Sequence, residues 1–371
     1  MSDNIVAQKR LMERLHKAGS IKSTQLTKSS LFKEKDEIPT AVPMVNVALS
    51  GRLDGGLTSG LTVLAGPSKH FKTAFGLLMM KAYLDKYPEA ICLFYDSEFG
   101  TPEHYFSSLN IDTDRVIHIP IKNVEELKFD LVKQLEEIEI EDKVYVMVDS
   151  IGNLASKKEV DDARDEKSVA DMTRAKQLKS LFRMITPYLS MKDVPLVAVN
   201  HTYQTQEMFS KAVVSGGTGV YYSADNIWII GRQQDKKGTE IQGYHFIINV
   251  DKSRFVKEKS KVPISVTWEG GIKKWSGLLD VALEGGFVVK PTMGWYSKVN
   301  METMEPEEAK VRASDTEEAE FWEGLIDHPK FTKYVEDTYA MGAGLLQTEE
   351  PEPMSVEDLI QVRKEKRESN G

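Results

Sequence analysis

From Val42 to about Val250, short runs of β-branched and apolar residues alternate with amphipathic stretches. The runs are LTVLAG (61–66), AICLFYDSE (90–98), KVYVMVDS (143–150), VPLVAVNH (194–201), NIWIIG (226–231) and HFIINV (245–250). They are nearly continuous apolar strings, the pattern of strands covered on both faces of a sheet. Between them, Val124, Leu127, Leu131, Leu135 and Ile138 recur at spacings of three and four, which predicts a helix over 124–138. Met172, Leu178, Leu181, Phe182 and Ile185 predict another over 171–186. This alternation implies an α/β fold with a mostly parallel central sheet and crossover helices.

The flanks read differently. Ile5, Leu11, Met12 and Leu15 lie between charges and predict a short helix over 5–18. The stretch GSIKSTQLTKSS that follows reads as a linker. Such an arm can cap its own core or reach onto a neighbour. Beyond Lys261 come one more strand-like run, VPISVTW (262–268), a mixed segment, 271–297, and a helical region, 319–340. The last stretch, 347–371, has prolines flanked by Glu and then dense mixed charge, a composition expected to order poorly. The expected organisation is an arm (1–30), a core (31–270), a small α+β C-terminal domain (271–346) and a charged tail (347–371).

Composition narrows the class. Apolar residues make up 41% of the 371, enough for a large packed core, so collagen-like and wholly disordered chains are excluded. Cys92 is the single cysteine, which rules out an intrachain disulfide and a Cys-based zinc site; it reads as a buried thiol. The seven histidines are scattered without metal-ligand spacing. No apolar stretch approaches the roughly 18 residues of a membrane span. The charged start MSDNIVAQKRLMERLHK is not a secretory signal, so a reducing cytoplasm is expected.

The chemistry concentrates in LTVLAGPSKHFKTAFGLL (61–78). A buried-type strand runs into the loop Gly66-Pro67-Ser68-Lys69-His70-Phe71, then Lys72-Thr73 and an apolar helix. Strand, loop and helix closing on Lys-Thr is the context of a phosphate-binding loop. Backbone N–H groups of the loop and helix start point at phosphates. Lys72 can neutralise the β- and γ-phosphates, and the Thr73 hydroxyl can bind Mg²⁺. Phe71 stands where the general pattern has Gly. Asp149 closes one strand, where a second Mg²⁺-orienting carboxylate belongs. Glu98 follows another and is placed to activate a water. Asn200-His201 ends a fourth strand at the same rim.

These residues carry a resemblance. The chain resembles the RecA-type strand-exchange recombinases, and specifically the UvsX recombinases of T-even-type bacteriophages, from about residue 30 to 345. The segments that carry it are LAGPSKHFKT (64–73), CLFYDSEFG (92–100), VDSIGNLASKKE (148–159), DMTRAKQLKSLFR (171–183), NHTYQTQEMFSK (200–211), GGTGVYYSADN (216–226) and KSRFVKEKSK (252–261). It extends to Phe71, because the phage recombinases commonly carry a bulky residue before the loop lysine. The resemblance implies a RecA-type ATPase core that holds ATP and Mg²⁺. Lys72, Thr73 and Asp149 would form the phosphate and metal site, with Glu98 as catalytic base and Tyr105 stacking on adenine. His201 stands where RecA has the glutamine thought to sense the γ-phosphate. Lys252 and Arg254 resemble the basic pair that reaches the neighbouring subunit's nucleotide.

The same resemblance implies two DNA-lining loops. The first is about 153–171 with Lys157, Lys158, Arg164 and Lys167, continuing into Arg174, Lys176 and Lys179. The second is about 202–218 with Lys211, Gly216 and Gly217. Charge alone leaves the first loop equally a solvated mixed-charge face. The arm acquires the role of packing against the next protomer. The activity implied is ATP-dependent homologous pairing and strand exchange by a helical filament on single-stranded DNA, in recombination, repair and recombination-dependent replication. Partners would include duplex DNA, a mediator and a single-strand-binding protein. A hexameric helicase on the same core, or a non-catalytic single-strand-binding protein, are the rival readings; a P-loop kinase would need an acceptor site that the sequence does not display.

The formal net charge of −9 and pI near 5.5 argue at face value against a nucleic-acid binder. The acidity is local, however. Residues 300–371 hold 19 acids and 8 bases, net −11, and the remaining 299 residues carry +2. An acidic terminus can compete with DNA for basic loops. Deleting 347–371 is therefore expected to tighten DNA binding at low salt, measured by fluorescence anisotropy; unchanged affinity would count against tail competition.

Overall fold

The computed structural model describes residues 2–21, 23–29, 35–165, 173–205, 212–237, 240–267 and 271–342. Lys167, Lys211 and the charged tail lie outside them, as do the first two residues of the helix expected over 171–186. Residues Met1–Ala340 form one compact unit, distinct from Met341–Gly371.

Along the chain, α1 (Ser2–Ala18) is followed by α2 (Pro43–Ser50), β1 (Gly60–Ala65), α3 (Lys72–Lys86), β2 (Ile91–Asp96), α4 (Glu103–Ser108), β3 (Val116–Pro120), α5 (Val124–Glu137), β4 (Val144–Asp149), α6 (Lys157–Arg164), α7 (Thr173–Met191) and β5 (Pro195–Asn200). Then come β6 (Thr202–Gln204), β7 (Ala212–Val214), α8 (Thr218–Ser223), β8 (Asn226–Lys237), β9 (Glu240–Ser253), β10 (Lys261–Thr267) and β11 (Gly271–Ile272). The C-terminal part holds α9 (Leu278–Glu284), β12 (Val288–Thr292), β13 (Trp295–Lys298), β14 (Val311–Arg312), α10 (Ala319–Trp322) and α11 (Pro329–Tyr339).

The central sheet has the order β11-β10-β9-β8-β1-β5-β4-β2-β3. From β8 to β3 every pairing is parallel; from β8 to β11 every pairing is antiparallel. β1, β4 and β5 are buried along their whole length. Successive side chains point to opposite faces, so each strand feeds two cores. Leu64, Met147, Val197 and Val199 join the cluster that includes α2 and α3. Leu61, Val63, Val146, Val148, Leu196 and Ala198 join the one built by α5 and α7. The result is the three-layer α/β architecture, with a mostly parallel sheet, that the alternating pattern implies.

Several elements depart from the sequence expectation. β3 was not among the expected strands because its burial is mostly partial or absent: it is the outer edge of the sheet, and Ile117 is 48% exposed. The runs at 226–231 and 245–250 are the inner parts of a much longer antiparallel hairpin, whose polar outer ends carry no apolar signal. The helical region at 319–340 divides into α10 and α11; Pro329 opens α11 and the His328 side chain accepts from Lys330 N at its cap. α6 turns much of the first expected loop into a helix.

The C-terminal strands form a separate three-stranded sheet, β12-β13-β14. Leu278, Val281, Trp322, Phe331 and Val335 from the adjoining helices belong to the same core cluster as α2 and α3. α1 stands apart in character: Ile5, Val6, Leu11, Met12 and Leu15 are all exposed. Among the described residues no helix is long and apolar enough to cross a membrane.

Gly51 ties the two ends of this unit together. It caps α2 at φ +80, and a Cβ there would lie 2.6 Å from Ala340 Cα. Gly51→Ala incurs both the left-handed backbone cost, about 1 kcal/mol, and a backbone clash. Gly324→Ala, at φ +76 with no atom within 4 Å, incurs the first cost alone. Urea denaturation is expected to show the larger loss for Gly51→Ala.

Candidate nucleotide site and nucleic-acid surface

The sheet register decides where polar groups meet. Ala65 is level with Asn200, and Asp96 is level with Asp149. β5 lies between β1 and β4, so the ends of β1, β5, β4 and β2 form one continuous rim. The loop 66–71 leaves this rim and runs into α3, whose first residues are Lys72 and Thr73. Gly66 sits close under the sheet edge: a Cβ there would lie 2.9 Å from Ile230 O.

The rim opens into a pocket of about 360 Å³. Its lining includes Ser68, Lys69, His70, Phe71, Lys72, Thr73, Glu98, Tyr105, Asp149 and His201, ten residues singled out from the sequence. Gly66 and Pro67 begin the same loop. Lys72 is buried, and its Nζ donates to Pro67 O at 2.7 Å. Burial holds its ammonium below the usual lysine range, while Glu98 and Asp149 oppose that shift. A phosphate oxygen would offer this cation a stronger partner than a neutral carbonyl.

Thr73 Oγ1 donates to Asp149 Oδ2 at 2.7 Å, joining the helix start to the end of β4. Burial pushes the Asp149 carboxyl up to about 6, against the lowering effect of the Thr73 bond. Asp149 Oδ1 is buried without a hydrogen-bond partner. A hydrated divalent cation suits this pair, with one hydroxyl and one half-satisfied carboxylate at hand. Among the described residues no group of three or more His, Cys, Asp or Glu makes a self-sufficient metal cage.

Glu98 is the hub of the opposite wall. Its Oε1 accepts from Ser150 Oγ at 2.6 Å and from Asn153 Nδ2 at 2.9 Å, and His201 Nε2 lies 3.2 Å away. Asp96 fixes the turn beneath it, because Asp96 Oδ1 accepts from Glu98 N at 3.0 Å and from Phe99 N at 2.8 Å. Ser97 Oγ donates to Ser150 O at 2.7 Å and so locks the β2 and β4 ends together. Sequence reading passed over Asp96, Ser150 and Asn153 as functional groups. The signal for Asp96 was present, two positions before Glu98 at the same strand end.

Tyr105, on the first turn of α4, stands at the rim and is 40% exposed. The face opposite carries Arg232 from β8 and Tyr244 and Phe246 from β9. Nothing in a single strand's apolar pattern indicates that these side chains reach the loop; only the β8–β9 register does so.

Lys252 and Arg254 are not in this pocket. Lys252 is level with Ile227 at the start of β8, and Arg254 follows at the same end. Lys252 Nζ donates to Tyr221 O at 2.6 Å, and Arg254 Nε pairs with Asp225 Oδ1 at 2.5 Å. Asp225 Oδ2 in turn accepts from Leu61 N at 2.9 Å, so the pair marks the entry end of β1, opposite the phosphate loop.

The residues expected to meet DNA divide into two kinds. Lys157 and Lys158 open α6, where Ser156 caps the helix by accepting from Glu159 N at 3.0 Å. Lys158 pairs with Asp162, and Arg164 lies 3.8 Å from Asp161, so part of this positive charge is answered within the helix. Lys176 and Lys179 are exposed on α7. Gly216 and Gly217 have φ of +98 and +76 and lead from β7 into α8. Within the second expected loop, Thr202–Gln204 and Ala212–Val214 form the two-stranded ladder β6–β7.

Arg174, expected to meet DNA, is bonded within the chain. Its Nε donates to Leu154 O at 2.6 Å, and its Nη2 donates to Ile151 O and Gly152 O at 2.9 and 2.8 Å. Its Nη1 lies 3.4 Å from Ser215 Oγ. The half-buried guanidinium is spent on the carbonyls that leave β4 and on the segment that leaves β7. It staples the roots of the two loops.

A strand–loop–helix segment closing on Lys72-Thr73, at the rim of a mostly parallel α/β sheet, is the arrangement of a RecA-type core. The comparisons with known proteins agree. The family model of the RecA N-terminal domain matches residues 7–273, and that of the C-terminal domain of the bacteriophage T4 recombination and repair protein matches 275–335. The chain is 53% identical to the recombination and repair protein of Enterobacteria phage T4 over 96% of its length and 92% of the relative's. It is 26% identical to protein RecA of Streptomyces rimosus over 70% of this chain and 67% of that one. The chain belongs to the RecA family of recombinases, within which it is a recombination and repair protein of the phage T4 type.

Removing the staple separates structure from binding. Arg174→Ala deletes three carbonyl bonds, each worth roughly 1 kcal/mol. Hydrogen–deuterium exchange is expected to quicken at both 151–156 and 213–216, whereas Lys176→Ala leaves both unchanged. Acceleration in neither segment would remove the stapling role.

Proposed function

We propose that the chain binds ATP with Mg²⁺ in the Lys72 pocket and hydrolyses it as a filament on single-stranded DNA that pairs with homologous duplex. One observation carries this reading: Lys72, the Thr73–Asp149 pair and the Glu98 network converge on a single pocket at one rim of the sheet.

The roles are those that the family resemblance implies, and the geometry is compatible with them. Loop N–H groups 66–71 and the start of α3 receive phosphate oxygens, with Lys72 as counter-charge. Thr73 and Asp149 hold Mg²⁺, which when bound neutralises charge that develops on the phosphates. Glu98 takes the proton of the attacking water, and its bonds to Ser150 and Asn153 fix the carboxylate for that task. Tyr105 offers its ring to adenine. His201 lies beside Glu98, and the next residue begins β6, so a change at the phosphates has a one-residue path to the second DNA segment.

Lys252 and Arg254 lie one strand length, roughly 17 Å, from their own phosphate loop. They serve the nucleotide of an adjacent subunit, which makes hydrolysis depend on assembly. α1, with its unpartnered apolar residues, and the open edge of β3 support assembly as well; a groove of about 520 Å³ runs beside β3 and is lined by Ile119, Phe129 and Lys133 among others. DNA phosphates are met by Lys157, Lys158, Arg164, Lys167, Lys176, Lys179 and Lys211 and by backbone at Gly216-Gly217, a sequence-independent and salt-sensitive mode. The setting is the host cytoplasm, with a mediator and a single-strand-binding protein as further partners.

The test is ATP turnover with and without single-stranded DNA. Turnover is expected to rise with DNA and to fall by about 10²–10⁴ in Glu98→Gln. Absence of DNA-stimulated turnover, or normal turnover in Glu98→Gln, would overturn the mechanism. Electron microscopy of the same mixtures is expected to show open helical filaments; closed rings would favour a helicase.

A further inference from the structure

We propose that Arg232 and Phe246, which face each other across β8 and β9, are positioning residues that hold the phosphate loop in its nucleotide-binding shape. This inference rests on the pocket being a nucleotide site and deepens that reading.

The loop contains two left-handed residues that are not glycine: Lys69 at φ +60 and Phe71 at φ +58. Residues with a Cβ hold that conformation only where their surroundings fix it. Beside the Lys72–Pro67 and Phe75–Phe71 bonds, those surroundings include one rung of the sheet, because Arg232 and Phe246 are register partners. The fully buried Phe246 ring lies 5.3 Å from the Phe71 ring and 6.3 Å from the His70 ring, centroid to centroid. Arg232 is itself braced, its guanidinium 4.5 Å from the centroid of the Tyr244 ring. From there its Nη1 donates to Lys69 O at 3.3 Å.

Each left-handed residue therefore has its own tether from the same rung. Lys69 is held through its carbonyl and Phe71 through its ring. The two tethers thereby help to aim the loop amides that would face phosphate. A glycine at 71 would adopt the same backbone without a ring contact. Phe71 makes the loop depend on the hairpin, and the hairpin thereby becomes part of the nucleotide site.

The experiment titrates the full-length chain and its variants with N-methylanthraniloyl-ATP and Mg²⁺, with circular dichroism as the check on folding. Phe71→Ala keeps the left-handed cost and loses the ring, so binding is expected to weaken about five- to tenfold. Phe71→Gly loses both and is expected to bind within about twofold of the unaltered chain. Arg232→Gln, an exposed position, is expected to weaken binding about three- to tenfold and to raise KM more than it lowers kcat. Phe246→Leu is expected to weaken binding in the Phe71 chain and to have little effect in the Phe71→Gly background. Equal behaviour of Phe71→Ala and Phe71→Gly would overturn the ring tether, and normal binding by Arg232→Gln would overturn the carbonyl tether. In either case binding by the unaltered chain, lost in Lys72→Ala, would leave the nucleotide reading standing. No binding by the unaltered chain would overturn both readings.

Discussion

A sheet buried on both faces accommodates charged groups most readily at its strand ends, because a buried charge needs partners that the apolar faces do not offer. β1, β4 and β5 have no exposed residue along their length, so the charged groups of this site stand at the rim, where their strands end. Parallel pairing then puts all the C-terminal ends on the same side. The register that levels Ala65 with Asn200 and Asp96 with Asp149 turns four separate segments into one site. Thr73 and Asp149, 76 positions apart in sequence, meet through this constraint rather than through any local motif.

The rim also places charges where water serves them poorly. Lys72 is pushed toward its neutral form by burial and Asp149 is pushed up to about 6 by the same cause. Each is the other's partial remedy, and Asp149 still keeps one oxygen without a partner. An anionic ligand with a divalent cation would answer both groups at once.

Lys72, Thr73, Asp149 and Glu98 were legible in the sequence because each stands at a fixed point relative to an apolar run. The central strands were legible for the same reason. What was hidden depends on contacts between distant segments. β3 carries no continuous apolar signal because it is an edge. The outer half of β8 is polar, and although Phe246 lies in the apolar run 245–250, that run does not reveal that it and Tyr244 and Arg232 would flank the loop. Arg174 looked like one more base in a basic stretch; only the carbonyls of Ile151, Gly152 and Leu154 around it reveal a different occupation. A charged residue's sequence neighbours do not report whether its donors are already used.

The separation of Lys252 and Arg254 from Lys72 has a geometric consequence for any assembly that uses them. A surface at one end of the sheet would have to meet a different surface at the other end of the next copy. Such head-to-tail contacts are heterologous, and unless the rotation closes they continue without limit. The two termini of the resulting array cannot be equivalent: one exposes a nucleotide pocket that lacks its neighbour's cations, and the other exposes cations with nothing to act on. Direction along the array, and a chemical difference between its growing and shrinking ends, would thus be written into a single subunit by the length of β1.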